Sequence, residues 1–152
     1  MIQVELPFNE IQETVELTLK YVSGKRAATP EDYFRHTVCV ADSGFIAELT
    51  EQAMLWLSQK ICRYWRGHSF EKAVLAIRLD LPKDNLELLQ DQDILQKLLR
   101  QIVIYRLLFL WLRISGMQDA ERWGNGAEEM SEYLITLFRK LTGLRERPIS
   151  IF

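Results

Sequence analysis

Cysteine and histidine are scarce in this chain: Cys39, Cys62, His36 and His68 are the complete set. Two cysteines are too few for a disulfide framework and lack the paired short spacing of a zinc site, so both are expected to be buried thiols in a reducing compartment. Neither histidine has a second ligand four residues away, and a cluster of His36, Cys39, Cys62 and His68 fits no established zinc spacing. A Cys–His nucleophile pair has as little behind it, since Cys39 and His36 are merely close in sequence and Cys62 falls mid-helix on a core-facing stripe. Neither a catalytic residue nor a metal or other cofactor is expected.

Charge of one sign is also lacking. With 19 basic and 21 acidic residues the net charge is -2, so no global field draws the chain toward nucleic acid or an anionic membrane. Long apolar runs are missing too. The most apolar segment, Ile102 to Leu112, is about half of the roughly 20 residues a membrane span needs, and it contains Arg106, so it reads as a core helix. The opening MIQVELPFNE carries acidic residues and a proline where a secretory signal needs basic residues and an apolar run, and a cytoplasmic protein is expected.

What is present is a good core composition: 48% of the 152 residues are apolar, enough for one ordinary domain. From about Phe8 to Val22, Phe8, Ile11, Val15 and Leu19 share one side opposite Glu10, Glu13 and Glu16, which makes an amphipathic helix that Ser23-Gly24 would stop. A second helix starts at Asp42 or Ser43, carries Phe45, Ile46, Leu49, Ala53, Trp56, Leu57, Ile61 and Tyr64, and would end at Gly67. Over Ala73 to Leu81 the period changes: Leu75, Ile77, Leu79 and Leu81 alternate with their neighbours, as in a half-buried extended segment, and Pro82 closes it. Its partner is open at this point. Val38 to Val40, the region Ile149 to Ile151 and a neighbouring chain all qualify, and an unpaired edge here would invite association.

A long helix begins between Asn85 and Asp93 and runs to Gly116; because it is apolar nearly all round, it should sit centrally. The last helix runs from about Gln118 to Leu141 and makes an antiparallel hairpin with it, leaving residues 144–152 as a short tail. Within it, Gly124-Asn125-Gly126 costs roughly 1 kcal/mol per glycine relative to alanine, which calls for a kink or for another backbone packed closely there. The expected fold is one mainly α domain over 1–152: a bundle of about four helices with at most a small extended element at Ala73–Leu81.

Two groups of side chains stand out as candidate contacts. Lys60, Arg63 and Arg66, interleaved with Tyr64 and Trp65, could meet nucleic-acid phosphates and bases; the alternative is a helix end with favourable dipole charges. Arg139, Lys140, Arg145 and Arg147 make a second basic region. Sixteen aromatic residues exceed what this core strictly needs, which makes Trp65, Trp123 and Phe152 candidates for a subunit interface together with Arg145 and Arg147.

Four segments together resemble a set of prophage-encoded virion structural proteins of Bacteroides-type bacteria, similar to head–tail connectors. They are the stretch VELTLKYVSGK from Val15 to Lys25; a Tyr33-containing stretch leading to Ala41-Asp42 and a helix; an extended segment ending Leu79 to Pro82 before a long helix with Tyr105 and Trp111-Leu112; and a last helix followed by Arg139-Lys140 and Arg145 to Pro148. Trp123 to Gly126 departs from the alanine-rich helix of that pattern. The resemblance implies a non-enzymatic, ring-forming or neck-associated subunit whose partners are copies of itself or other virion proteins, assembled into a phage particle. A nucleic-acid-binding or regulatory helical domain is the alternative.

Overall fold

The computed structural model describes residues 1–26, 43–81, 89–116 and 119–142. Its first element follows from a two-residue alternation: Val4 and Leu6 are buried while Gln3 and Glu5 face solvent, so Ile2–Pro7 is a strand, β1. Pro7 ends it. Helix α1 (Phe8–Arg26) starts at the next residue, and the Phe8 N–H donates to the Ala73 carbonyl at 2.9 Å, fixing the strand-to-helix corner. The apolar stripe Phe8, Ile11, Val15, Leu19 and Val22 is buried, as its spacing requires. The helix continues through Gly24 to Arg26 and does not stop at Ser23-Gly24.

Helix α2 (Ser43–Lys60) is shorter than its periodicity suggests. Beyond Lys60 the chain turns, with Ile61 N–H bonded to Leu57 O and both Tyr64 N–H and Trp65 N–H bonded to Ile61 O. That turn keeps Ile61 and Tyr64 on the buried side, so the helical stripe outlives the helix. Cys62 faces outward in this turn and is exposed, which corrects the expectation of a buried, helical thiol. Cys39 lies outside the described residues.

Strands β2 (Trp65–Glu71) and β3 (Val74–Leu79) then form a hairpin, and β1 adds to the other side of β3 in a three-stranded antiparallel sheet of order β1-β3-β2. Ile77 stands opposite Val4 on one side and His68 on the other; Leu75 stands opposite Leu6 and Phe70. The extended element read from Ala73 to Leu81 is therefore the centre of a sheet. It is paired on both sides within the chain, which overturns the idea of an unpaired edge there. The hairpin turn is formed by Lys72 and Ala73, with φ of 51° and 60°.

Helix α3 (Leu89–Ile114) packs most extensively on α4 (Ala120–Thr142) and also touches α2, α1 and β1, the central position its all-round apolarity predicts. Gly116, at φ 72°, lies in the turn between them. Along α4 the buried residues run from small to large: Ala120, Gly124, Ala127 and Ser131, then Leu134, Phe138 and Leu141. Gly124 belongs to this taper, and Gly126 is half-buried beside it. A Cβ at Gly124 would lie 2.6 Å from Phe109 Cδ1, and one at Gly126 2.6 Å from Tyr105 Cδ2. What crowds the pair is thus two aromatic rings of α3, not a neighbouring backbone, and α4 is one continuous helix across them. The result is a mostly helical fold of four helices and a three-stranded sheet among the described residues, with more strand than one small extended element.

Candidate interaction surface

Where α2, α3 and α4 meet, one arginine is held in an unusual way. Arg106 lies with its guanidinium 4.6 Å from the Trp56 ring centroid of α2 and 4.6 Å from that of Phe109, one turn on along α3. Both contacts are in cation–π range. Its Nε is buried and has no hydrogen-bond partner, and the guanidinium forms no ion pair among the described residues. Burial pushes Arg106 below the usual arginine value; the Glu128 carboxylate works in the opposite direction, and the Arg113 charge adds to the lowering. Glu128 is itself bonded to Lys60 at 2.6 Å.

Arg113 lies over the same phenylalanine, 5.8 Å from the Phe109 centroid. Residues 106, 110, 113 and 114 recur at helical spacing along one stripe of α3: two arginines, the half-buried Leu110 and Ile114, which is 60% exposed. Chemically this stripe offers guanidinium donors beside apolar surface. It suits an anionic, partly apolar partner.

Other concave regions lie elsewhere among the described residues. Between α2 and the end of the sheet, a groove of about 420 Å³ is lined by Glu48, Glu51, Leu55, Ser58, Trp65 and His68. His68 Nε2 is 3.0 Å from Glu51 Oε2, and its ring lies 5.7 Å from that of Trp65. A larger cleft, about 700 Å³, runs beside β1 and the start of α3. There Gln96 Nε2 donates to the Glu5 carbonyl at 2.9 Å, occupying one acceptor on the outer edge of β1. Among the described residues no three His, Cys, Asp or Glu side chains converge as a metal site would need.

The basic residues singled out in the sequence flank the turn after α2, where Arg66 Nη1 reaches the Arg63 carbonyl at 3.5 Å. Lys60 is tied to Glu128, and Arg66 bonds Asp80 at 2.7 Å and the Trp65 carbonyl at 3.0 Å. Arg63 lies 6.0 Å from the Tyr64 ring. Their cationic ends answer carboxylates and a ring of the same chain. Of the interface candidates, Trp65 is half-buried at the groove floor and Trp123 is half-buried edge-on against Tyr105, with centroids 5.0 Å apart. Arg145, Arg147 and Phe152 lie outside the described residues, as does His36. Arg106 was legible in the sequence only as a charge interrupting an apolar run; the signal for its role is Phe109 and Arg113 at three and seven residues' distance, which places all three on one stripe.

No helix among the described residues is long and apolar enough to cross a membrane. No family model, curated protein or solved structure matches the chain.

Proposed function

We propose that this chain is a non-enzymatic structural subunit that self-associates or docks into a larger assembly, in its most specific form a connector or neck component of a prophage virion built in the cytoplasm. The observation that carries the reading is on α1. Leu17 and Tyr21, 60% and 64% exposed, stand one turn apart on the same face. Large apolar side chains exposed side by side are what a contact surface between subunits presents. The pair falls inside the Val15–Lys25 stretch that carries the resemblance to virion proteins. The intramolecular engagement of Lys60 and Arg66 favours this reading over nucleic-acid binding, because a phosphate would have to compete with Glu128 and Asp80.

The test is the mass in solution by light scattering coupled to size exclusion, over a wide concentration range, with and without residues 145–152. A discrete oligomer supports the assembly reading, and its dependence on the tail locates one contact. A strict monomer at every concentration, together with steeply salt-dependent DNA binding, replaces that reading with the nucleic-acid one.

A further inference from the structure

The outer edge of β1 is open for part of its length. Phe8 N–H donates to the Ala73 carbonyl on the β3 side, whereas the Glu5 carbonyl points the other way and accepts from Gln96 of α3. Backbone groups alternate sides along a strand, so Ile2, Val4 and Leu6 bond β3, and Gln3 turns its N–H and carbonyl outward as Glu5 does. Gln96 closes this edge at Glu5, and among the described residues no strand pairs with Gln3 from outside. Beside Gln3 lies the cleft of about 700 Å³, with Ile2, Val4 and Leu95 as its apolar wall and Gln3 and Glu5 on its polar side.

A segment of matching polarity starts within reach. Near the end of α4 the Phe138 ring packs on Tyr64, with centroids 4.8 Å apart, and the next residue, Trp65, shares a row of the sheet with Leu79 and Ile2. The last turn of α4 thus lies at the end of the sheet where β1 begins. Trp65 and Ile2 are two strand spacings apart, about 10 Å, whereas residues 143–148, fully extended, reach about 20 Å. Residues 143–152 lie outside the described residues. β3 is paired on both sides, and the register break between Trp65 and Gly67 disrupts β2 at the end where the chain arrives, which leaves β1. We infer that residues 149–151 of the same chain add to the outer edge of β1 as a fourth strand, parallel to β1 because they enter at its start. With Ser150 opposite Gln3, the Gln3 N–H donates to the Ile149 carbonyl and the Ile151 N–H donates to the Gln3 carbonyl. Ile149 and Ile151 then fall beside Ile2 and Val4 on the apolar face, and Ser150 falls beside Gln3 on the polar one. A slip of one residue would reverse all three. Pro148 turns away from β1, where its missing N–H costs nothing. The added strand covers an edge that otherwise offers itself to any extended chain, and it does so whether or not the protein assembles.

Amide hydrogen exchange in the full chain, followed residue by residue by NMR, reads the pairing directly. The Gln3 amide should exchange at least about tenfold more slowly in the wild type than in Ile151→Pro, which removes the N–H that the Gln3 carbonyl accepts. The Val4 amide, on the β3 side, should exchange alike in both. Gln3→Pro is the reciprocal variant: its lost N–H faces away from β3, so the sheet stands, and the Ile151 amide should speed up by a similar factor. Far-ultraviolet circular dichroism confirms that each variant is folded. A Gln3 amide that exchanges equally fast with and without Ile151→Pro overturns the fourth strand, even if Gln3→Pro fails to fold. Protection that grows with protein concentration assigns the strand to a second copy and overturns docking within one chain, whereas protection independent of concentration supports it.

Discussion

Gly124→Ala separates two forces that act on α4 with opposite sign. Replacing a mid-helix glycine by alanine ordinarily stabilises a protein by about 1 kcal/mol, because less backbone freedom is lost on folding. Here the new methyl would lie 2.6, 2.9 and 3.2 Å from three carbons of the Phe109 ring, where ordinary contact begins near 3.4 Å. The ring is 9% exposed, with Arg106 and Arg113 over it, so it cannot swing into open space. Overpacking of this kind costs about 1–3 kcal/mol, which leaves a net loss of up to about 2 kcal/mol after the helix gain. Gly126→Ala is the control on the same helix. Its methyl meets Tyr105, whose ring is only half-buried and is less enclosed than that of Phe109, so the helix gain should cancel more of the clash. Urea unfolding followed by circular dichroism should place Gly124→Ala below Gly126→Ala by about 1–2 kcal/mol with an unchanged slope. Adding Phe109→Leu should narrow the gap, a coupling that two independent sites would not show. If Gly124→Ala stabilises the protein by the full helix increment, the seam is looser than the distances imply and the argument fails.

Ala73→Gly should stabilise the protein by about 0.5–1 kcal/mol, since a left-handed alanine costs roughly 1–2 kcal/mol and glycine returns part of that as chain entropy; a loss in urea midpoint would refute it. Arg106→Met should leave stability unchanged or raise it by about 1 kcal/mol, because a half-buried charge whose Nε has no acceptor gives way to an apolar chain of similar length. A loss above about 2 kcal/mol would reveal a compensating partner for the charge. Ile77→Ala, at a fully buried position on the middle strand, should cost about 2–5 kcal/mol by thermal or urea unfolding, and a cost below about 1 kcal/mol would contradict its central place. Cys62 should react with a thiol reagent in the native protein without denaturant; labelling that waits for unfolding would put it back in the core.

The helices were legible wherever one stripe of a 3.6-residue period is buried against a polar remainder. That holds for α1 and α4, and the all-round apolarity of Ile102 to Leu112 marks α3 as central. The middle strand was legible through its alternation and the proline after it. The outer strands were not. β1 is six residues with two charged or amide side chains facing out, too short to outweigh the acidic and proline residues around it. β2 was hidden because Ile61 and Tyr64 continue the α2 stripe through a turn, and because its hairpin closes on Lys72-Ala73 where an Asn-Gly pair would have announced it. The candidate surface shows the same division. Lys60, Arg63 and Arg66 look like a cluster when projected on a helix, but the chain leaves the helix after Lys60, so they do not share one helical face. The Arg106 sandwich draws Trp56 from a different helix, a juxtaposition that no local spacing encodes.

The place of β3 between its neighbours also sets an order of events on the ribosome. Ile2 and Leu79 are register partners, so the first strand emerges with its mate still untranslated, a wait on the order of ten seconds at ordinary synthesis rates. During that interval Val4 and Leu6 have no sheet to join, whereas β2 and β3 close on each other as soon as both are out. A newly made chain therefore holds a sticky apolar strand until the hairpin arrives to receive it, and synonymous changes that slow translation between α2 and β3 lengthen its exposure without altering a single residue.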